Sequence, residues 1–213
     1  MDHRVTWPQV VRGWFMLRLL QWGALLIPDQ QVVAKGHQMT SESGAEAVEL
    51  IAASTPAHYE QVQELFVELM AWDCARVSEL GFDSALAQQF YYGQVAAPLP
   101  GEYAPPDGQL FWAKYAGNSA GCGAFTKLSP GICELKRVYV RTHYRGKKLG
   151  RQIVTSLMDC AQRNQYGLMR LETVTFMRSA IAMYREIGFR ECPAYYEIPE
   201  DFRDITVFME LEL

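Results

Sequence analysis

The stretch that most constrains the fold runs from residue 132 to residue 175. Residues 132–141 (ICELKRVYVR) carry β-branched and aromatic side chains in a strand-like run. A helix is expected over 146–164, because Leu149, Ile153, Val154, Leu157, Met158 and Ala161 recur at a spacing that puts them on one stripe. Gly167 closes the connection, and residues 168–175 (LMRLETVT) read as a second strand. Two strands joined through a helix lie parallel in one sheet, with a right-handed crossover. That unit commits the rest of the chain to a sheet covered by helices.

The flanking segments fit such a plan. Residues 47–52 (AVELIA) alternate as a strand does. Thr55 is a good helix N-cap, Pro56 is tolerated in the first turn, and Val62, Leu65, Phe66, Leu69 and Met70 follow at helical spacing. A second helical stretch is expected near 83–91, then an irregular loop over 98–108 (PLPGEYAPPDG). Strands over 109–116 and 120–128 flank a hairpin turn expected at Gly117-Asn118-Ser119, and Ser129-Pro130-Gly131 turns the chain again. A short helix over 179–187 and a final strand over 205–213 complete the pattern.

Hydrophobic residues make up 49% of the 213, enough to bury a core of one domain. The five cysteines are odd in number and form no C-x-x-C pair, so a zinc site or disulfide framework is disfavoured and a reducing cytoplasm is expected. His37, His58 and His143 show no metal-ligand spacing, and no metal is expected. Residues 13–27 are apolar but short, and Arg18 interrupts them, so neither a membrane span nor a signal peptide is expected. Residues 1–38 are therefore expected to be an extension outside the core fold, with the domain occupying 39–213.

Charge is distributed unevenly. Residues 135–158 contain no Asp or Glu but seven of the chain's 20 Lys and Arg, leaving 13 basic against 24 acidic residues elsewhere. The island covers a strand end, a Gly-containing turn and a helix start. A helix N-terminus presents unpaired N–H groups and partial positive charge, so this is a place for a phosphate. The plain alternative is a solvated helix face. A nucleic-acid binder using the same island would need aromatic interleaving, for which Tyr139 and Tyr144 are weak support, and the formal charge of −4 argues against it.

At these residues the sequence resembles the GNAT acyl-CoA N-acyltransferase family. The family signature is Q/R-x-x-G-x-G/A, at the start of the helix after the fourth strand. Here the hexamer is Arg145-Gly146-Lys147-Lys148-Leu149-Gly150, with Lys148 at the central glycine position. The order and character of 132–150, 181–189 (IAMYREIGF), 193–196 (PAYY) and 208–213 (FMELEL) extend the likeness, which covers about 46–213. It implies an α/β (mixed α+β) fold: a twisted mixed sheet of about six to seven strands with flanking helices, splayed between strands 4 and 5.

The resemblance also implies a site. Acetyl-CoA would lie in the splay, its pyrophosphate on the turn formed by Arg145, Gly146, Lys147, Lys148, Leu149, Gly150 and Arg151. Its pantetheine arm would pair with the strand edge at Val138, Tyr139 and Val140, and a backbone N–H near Val138 would face the thioester oxygen. Glu134 is the implied general base and Tyr184, the Tyr of the Y-x-x-x-G-F pattern, the implied acid for the leaving thiolate. Strand alternation puts Glu134, Lys136, Val138 and Val140 on one nominal face unless a bulge intervenes. Met177 stands where many relatives have Asn, so Arg178 or Ser179 would have to replace that coenzyme contact. For the acceptor, Lys136, Arg137 and Arg178 are candidates to pair a carboxylate, Glu102 to hold an amine, and Tyr103, Tyr195 and Tyr196 to wall a pocket. The expected function is acetyl transfer from acetyl-CoA to a primary amine of a small molecule, amino acid or peptide. The alternative is a catalytically inactive CoA-binding module. Neither nucleic acid nor membrane is an expected partner, and a homodimer is compatible with the resemblance.

Overall fold

The computed structural model describes residues 47–93 and 97–213. The expectations for residues 1–38, and for a domain start at Met39, lie outside the described residues. Strands β1 (Val48–Ala52), β2 (Gln109–Tyr115), β3 (Asn118–Ser129), β4 (Ile132–Val140), β5 (Leu168–Val174), β6 (Arg190–Glu191) and β7 (Thr206–Glu212) form one sheet in the order β1-β2-β3-β4-β5-β7-β6. Helices α1 (Pro56–Glu79), α2 (Ser84–Tyr92), α3 (Leu149–Arg163) and α4 (Arg178–Ile187) flank it. Among the described residues, β4–β5 is the one parallel pair, as the strand–helix–strand pattern requires.

Each face of the sheet buries its own core. On one side Phe125, Leu135, Met169, Leu171 and Met209 pack with Leu149, Ile153, Val154 and Leu157 of α3 and Tyr184 of α4. On the other, Leu110, Cys122, Ala124 and Tyr139 pack with Val62, Leu65, Phe66, Leu69 and Met70 of α1. Caps fix where the first helices start. The Thr55 hydroxyl accepts from the His58 N–H at 3.3 Å, and Asp83 caps α2 through the N–H groups of Ala85 and Leu86. No described helix is long and apolar enough to cross a membrane.

Three local expectations change. The hairpin between β2 and β3 turns at Ala116-Gly117, not at 117–119: both have positive φ (49° and 78°), and Asn118 already pairs with Tyr115. Helix α3 begins at Leu149, because Gly146 and Lys148 take left-handed torsions (φ 79° and 62°) that hold the helix off. Its buried stripe includes Cys160, while Met158 is only partly buried.

The third change reorients the site. Strand β4 contains a bulge: Lys136 pairs with Ala124 and Tyr139 with Cys122, so Arg137 and Val138 together oppose Gly123. Arg137 takes φ 58° to make the kink. Alternation therefore switches within the strand. Val138 and Val140 lie on the α3 side, and Tyr139 on the α1 side. The single face expected for Glu134, Lys136, Val138 and Val140 does not exist. Gly123 is needed opposite the bulge, because a Cβ there would come within 2.4 Å of the Ile153 side chain.

Candidate active site

Strands β4 and β5 pair only from Ile132↔Leu168 to Leu135↔Leu171. Beyond that point they separate, and the residues from Lys136 onward present a β4 edge that β5 does not cover. The bulge adds to this divergence, since a bulged strand bends and twists. A cavity of about 300 Å³ opens there, lined by both strands, α1, α2 and the start of α4. This is the carboxyl end of a parallel pair, the usual place for a ligand in such sheets.

At one end of the splay lies the turn before α3. The α3 ladder starts with the Gln152 N–H bonding to the Lys148 carbonyl at 3.1 Å, so the N–H groups of Leu149, Gly150 and Arg151 precede it. No acidic residue stands in the first turn. Left-handed Gly146 and Lys148 alternate with their neighbours, a pattern that turns successive N–H groups inward as an anion nest. Lys148 thus has the backbone shape that favours glycine, which explains why a glycine suits that place in the signature. Gly150 has room for a Cβ at 3.4 Å from Met183, an ordinary contact. Leu149 is buried and anchors the turn to the core.

The cations of the island are mostly engaged with the protein. Arg141 forks onto Glu68 (2.6 and 2.9 Å), Arg145 donates to the Val140 carbonyl (3.1 Å) and lies over Trp72, and Arg151 pairs with Glu186. Lys147 reaches the Tyr115 hydroxyl at 3.0 Å. A phosphate placed at this turn would meet backbone N–H groups first, with only long-range attraction from the cations.

The cavity is made of side chains. Glu134 is 5% exposed; its Oε1 accepts from the Tyr195 hydroxyl at 2.7 Å and its Oε2 pairs with Lys136 Nζ at 3.1 Å. Tyr184 lines the cavity and is 7% exposed; burial pushes its phenol well up, so it keeps its proton. Its hydroxyl has no hydrogen-bond partner among the described residues. Glu134, Lys136, Arg137, Val138, Met177, Tyr184 and Tyr196 all reach this one cavity. Tyr195 stands behind Glu134 as its donor. Glu102 and Tyr103 line a separate pocket of about 90 Å³, which shares Arg137 with the first. Arg178 is exposed and, with Ser179, falls outside the lining of either.

Two acidic groups of the cavity escaped the sequence reading. Burial, reinforced by the neighbouring Glu134, raises Glu172 to about 8. Burial also raises Asp73 to about 6, against the Tyr92 hydroxyl, which bonds to it. A sequence signal existed for Glu172, a carboxylate amid apolar residues at the carboxyl end of the second parallel strand. Asp73 carried none, since it reads as one polar residue on an amphipathic helix. Among the described residues no group of His, Cys, Asp and Glu could hold a metal ion.

The fold agrees with the comparisons to known proteins. The family model for the acetyltransferase (GNAT) family matches residues 63–189. An uncharacterised N-acetyltransferase of Schizosaccharomyces pombe is 33% identical over 139 residues, covering 64% of this chain and 82% of that protein. An uncharacterised N-acetyltransferase of Dictyostelium discoideum is 38% identical over 82 residues, 38% of this chain and 37% of its own length. Among solved structures, the PaiA N-acetyltransferase of Thermoplasma acidophilum in complex with coenzyme A shares the fold with a TM-score of 0.61 at 16% identity, covering 78% of this chain and 99% of that one. The chain belongs to the GNAT family of acetyltransferases.

Proposed function

We propose that the protein transfers an acetyl group from acetyl-CoA to a primary amine by direct attack in a ternary complex. The observation that carries this reading is the uncovered β4 edge beyond Leu135, which runs from the backbone cradle of α3 to a cavity lined by three carboxylates and by a phenol with no partner among the described residues. A coenzyme fits the parts. The cradle suits a pyrophosphate, and the open edge offers main-chain groups to an extended amide-bearing arm. The arm then ends in the cavity.

The chemistry follows from the groups there. An alkylammonium ion is no nucleophile and must first lose a proton. Glu172 suits this proton transfer, because burial raises it to about 8 and its carboxylate makes no hydrogen bond among the described residues. Glu134 is already committed to Tyr195 and Lys136, and supports the site by its charge. The amine nitrogen attacks the thioester carbonyl carbon, forming C–N. A backbone N–H near Val138 stabilises the oxyanion. Collapse breaks C–S; the thiolate takes a proton from Tyr184, and the nitrogen loses its second proton. That second proton returns to the Tyr184 phenolate and Glu172 gives the first to water, so the products are the N-acetyl amide, free CoA thiol and one proton.

The test is to incubate the full chain with acetyl-CoA and a panel of amines, reading free thiol and acetylated product together. Equimolar thiol and N-acetyl product support the reading. Coenzyme binding with no thiol release for any amine supports an inactive CoA-binding module instead.

A further inference from the structure

The cavity at the splay contains two buried charged atoms without a partner among the described residues, Asp73 Oδ1 and Arg137 Nε. They belong to groups of opposite sign that do not pair with each other. Tyr92 stands between them: its hydroxyl bonds to Asp73, and its ring carries the Arg137 guanidinium at 4.6 Å. Buried polar atoms are nearly always satisfied, and leaving charged ones unmet is costly. Arg137 also takes a left-handed conformation at the bulge, a strained state of the kind that collects at functional sites. One side of the cavity thus offers a guanidinium donor, and another offers acceptors on Asp73 and Glu172.

We propose that the acceptor is a free amino acid, whose carboxylate bonds to Arg137 and whose ammonium group is received by Asp73 and Glu172. This rests on the N-acetyltransferase reading. A zwitterion supplies both missing partners at once, which neither a polyamine nor a neutral amine does. Burial holds both carboxylates above their ordinary range, and a cation beside them would favour their charged forms. A volume of about 300 Å³ suits a compact acceptor meeting an acyl end, not a protein surface. Val77, Phe90, Tyr91 and Phe176 line the same cavity and favour an apolar side chain. The reaction is the one written above, with the carboxylate unchanged in the N-acetyl product.

The test compares L-leucine, L-leucinamide and 3-methylbutylamine as acceptors, after calorimetry has established acetyl-CoA binding to the full chain. The side chain is constant while the carboxylate is present, neutralised or absent. The kcat/KM for the acid should exceed both others by roughly 10- to 100-fold, the range of a hydrogen bond to a charged group. Arg137→Gln should shrink this preference by about tenfold or more, and Arg137→Lys should restore part of it. The wild-type comparison stands even if a variant fails to fold. Equal use of amide or amine, or turnover confined to amines without a carboxylate, overturns the amino-acid assignment and leaves the acetyltransferase reading intact. No turnover of any amine, with or without coenzyme binding, overturns both.

Discussion

The two ends of the splay are built from different materials. The cradle before α3 is a backbone site: its donors are N–H groups, its shape comes from left-handed Gly146 and Lys148, and its cations are mostly engaged with the protein. The cavity is a side-chain site, gathered from α1, α2, β4, β5 and α4, with Asp73, Glu134, Arg137, Glu172 and Tyr184 in its lining. A backbone site tolerates changes of side chain as long as the torsions survive, which is how Lys148 can stand at a glycine position. A side-chain site depends on each residue. Substitutions should therefore divide by which end they touch.

The largest effect is expected in the cavity. If Glu172 is the base, Glu172→Gln should lower turnover near neutral pH by about 10²- to 10³-fold with little change in acetyl-CoA affinity. A base works ionised, and burial raises this one to about 8, so wild-type kcat/KM should fall as pH drops below about 8, and the variant should lose that limb. Stability carries the matching sign. Between its ordinary 4.5 and about 8 the folded protein binds more protons at this site than the unfolded chain, so stability falls as pH rises through that window. Glu172→Gln removes that loss, and its melting temperature at pH 9 should exceed wild type by on the order of 5 °C. Equal pH profiles would return the base role to Glu134.

Tyr184→Phe comes next. It removes one hydroxyl with no partner among the described residues, so stability and acetyl-CoA binding should hold while turnover falls about 10²-fold. Turnover within about twofold would leave catalysis to positioning and the backbone oxyanion contact.

How legible each end was in the sequence follows the same division. The parallel pair, the crossover helix, the first helix and the Gly-containing turn were readable because each has a local signal: β-branched and aromatic runs, apolar spacing, Thr55 and Pro56 at a helix start, Gly146 beside clustered cations. The bulge was not. Nothing in ICELKRVYVR marks Arg137 for a positive φ, and that one torsion moved Val138 and Val140 off the face of Glu134 and Lys136. Asp73 was hidden for another reason. Its role comes from Tyr92 and Arg137, 19 and 64 positions away in the chain, which only the packed fold brings together.

Smaller effects are expected at the cradle. Replacing Lys147 and Lys148 together by Glu should weaken acetyl-CoA binding about tenfold and flatten its salt dependence, because only through-space attraction is lost while the N–H donors remain. Loss beyond a hundredfold, measured by calorimetry at two ionic strengths, would mean that the side chains do the binding. Lys148→Gly relieves a left-handed torsion of about 1–2 kcal/mol and gives back about 0.5–1 kcal/mol in chain entropy. The net gain of about 0.5–1 kcal/mol should raise the melting temperature by about 1–4 °C, with coenzyme affinity unchanged. A lower melting temperature would show that the lysine side chain itself supports the turn.

The most direct measurement is a calorimetric titration of acetyl-CoA into the full chain, repeated with Gly146→Val, which puts a β-branched residue where φ is 79°. Saturable binding to wild type, lost or weakened by more than about tenfold in the still-folded variant, is the predicted result. No heat and no thermal shift with wild type at saturating acetyl-CoA would contradict the account.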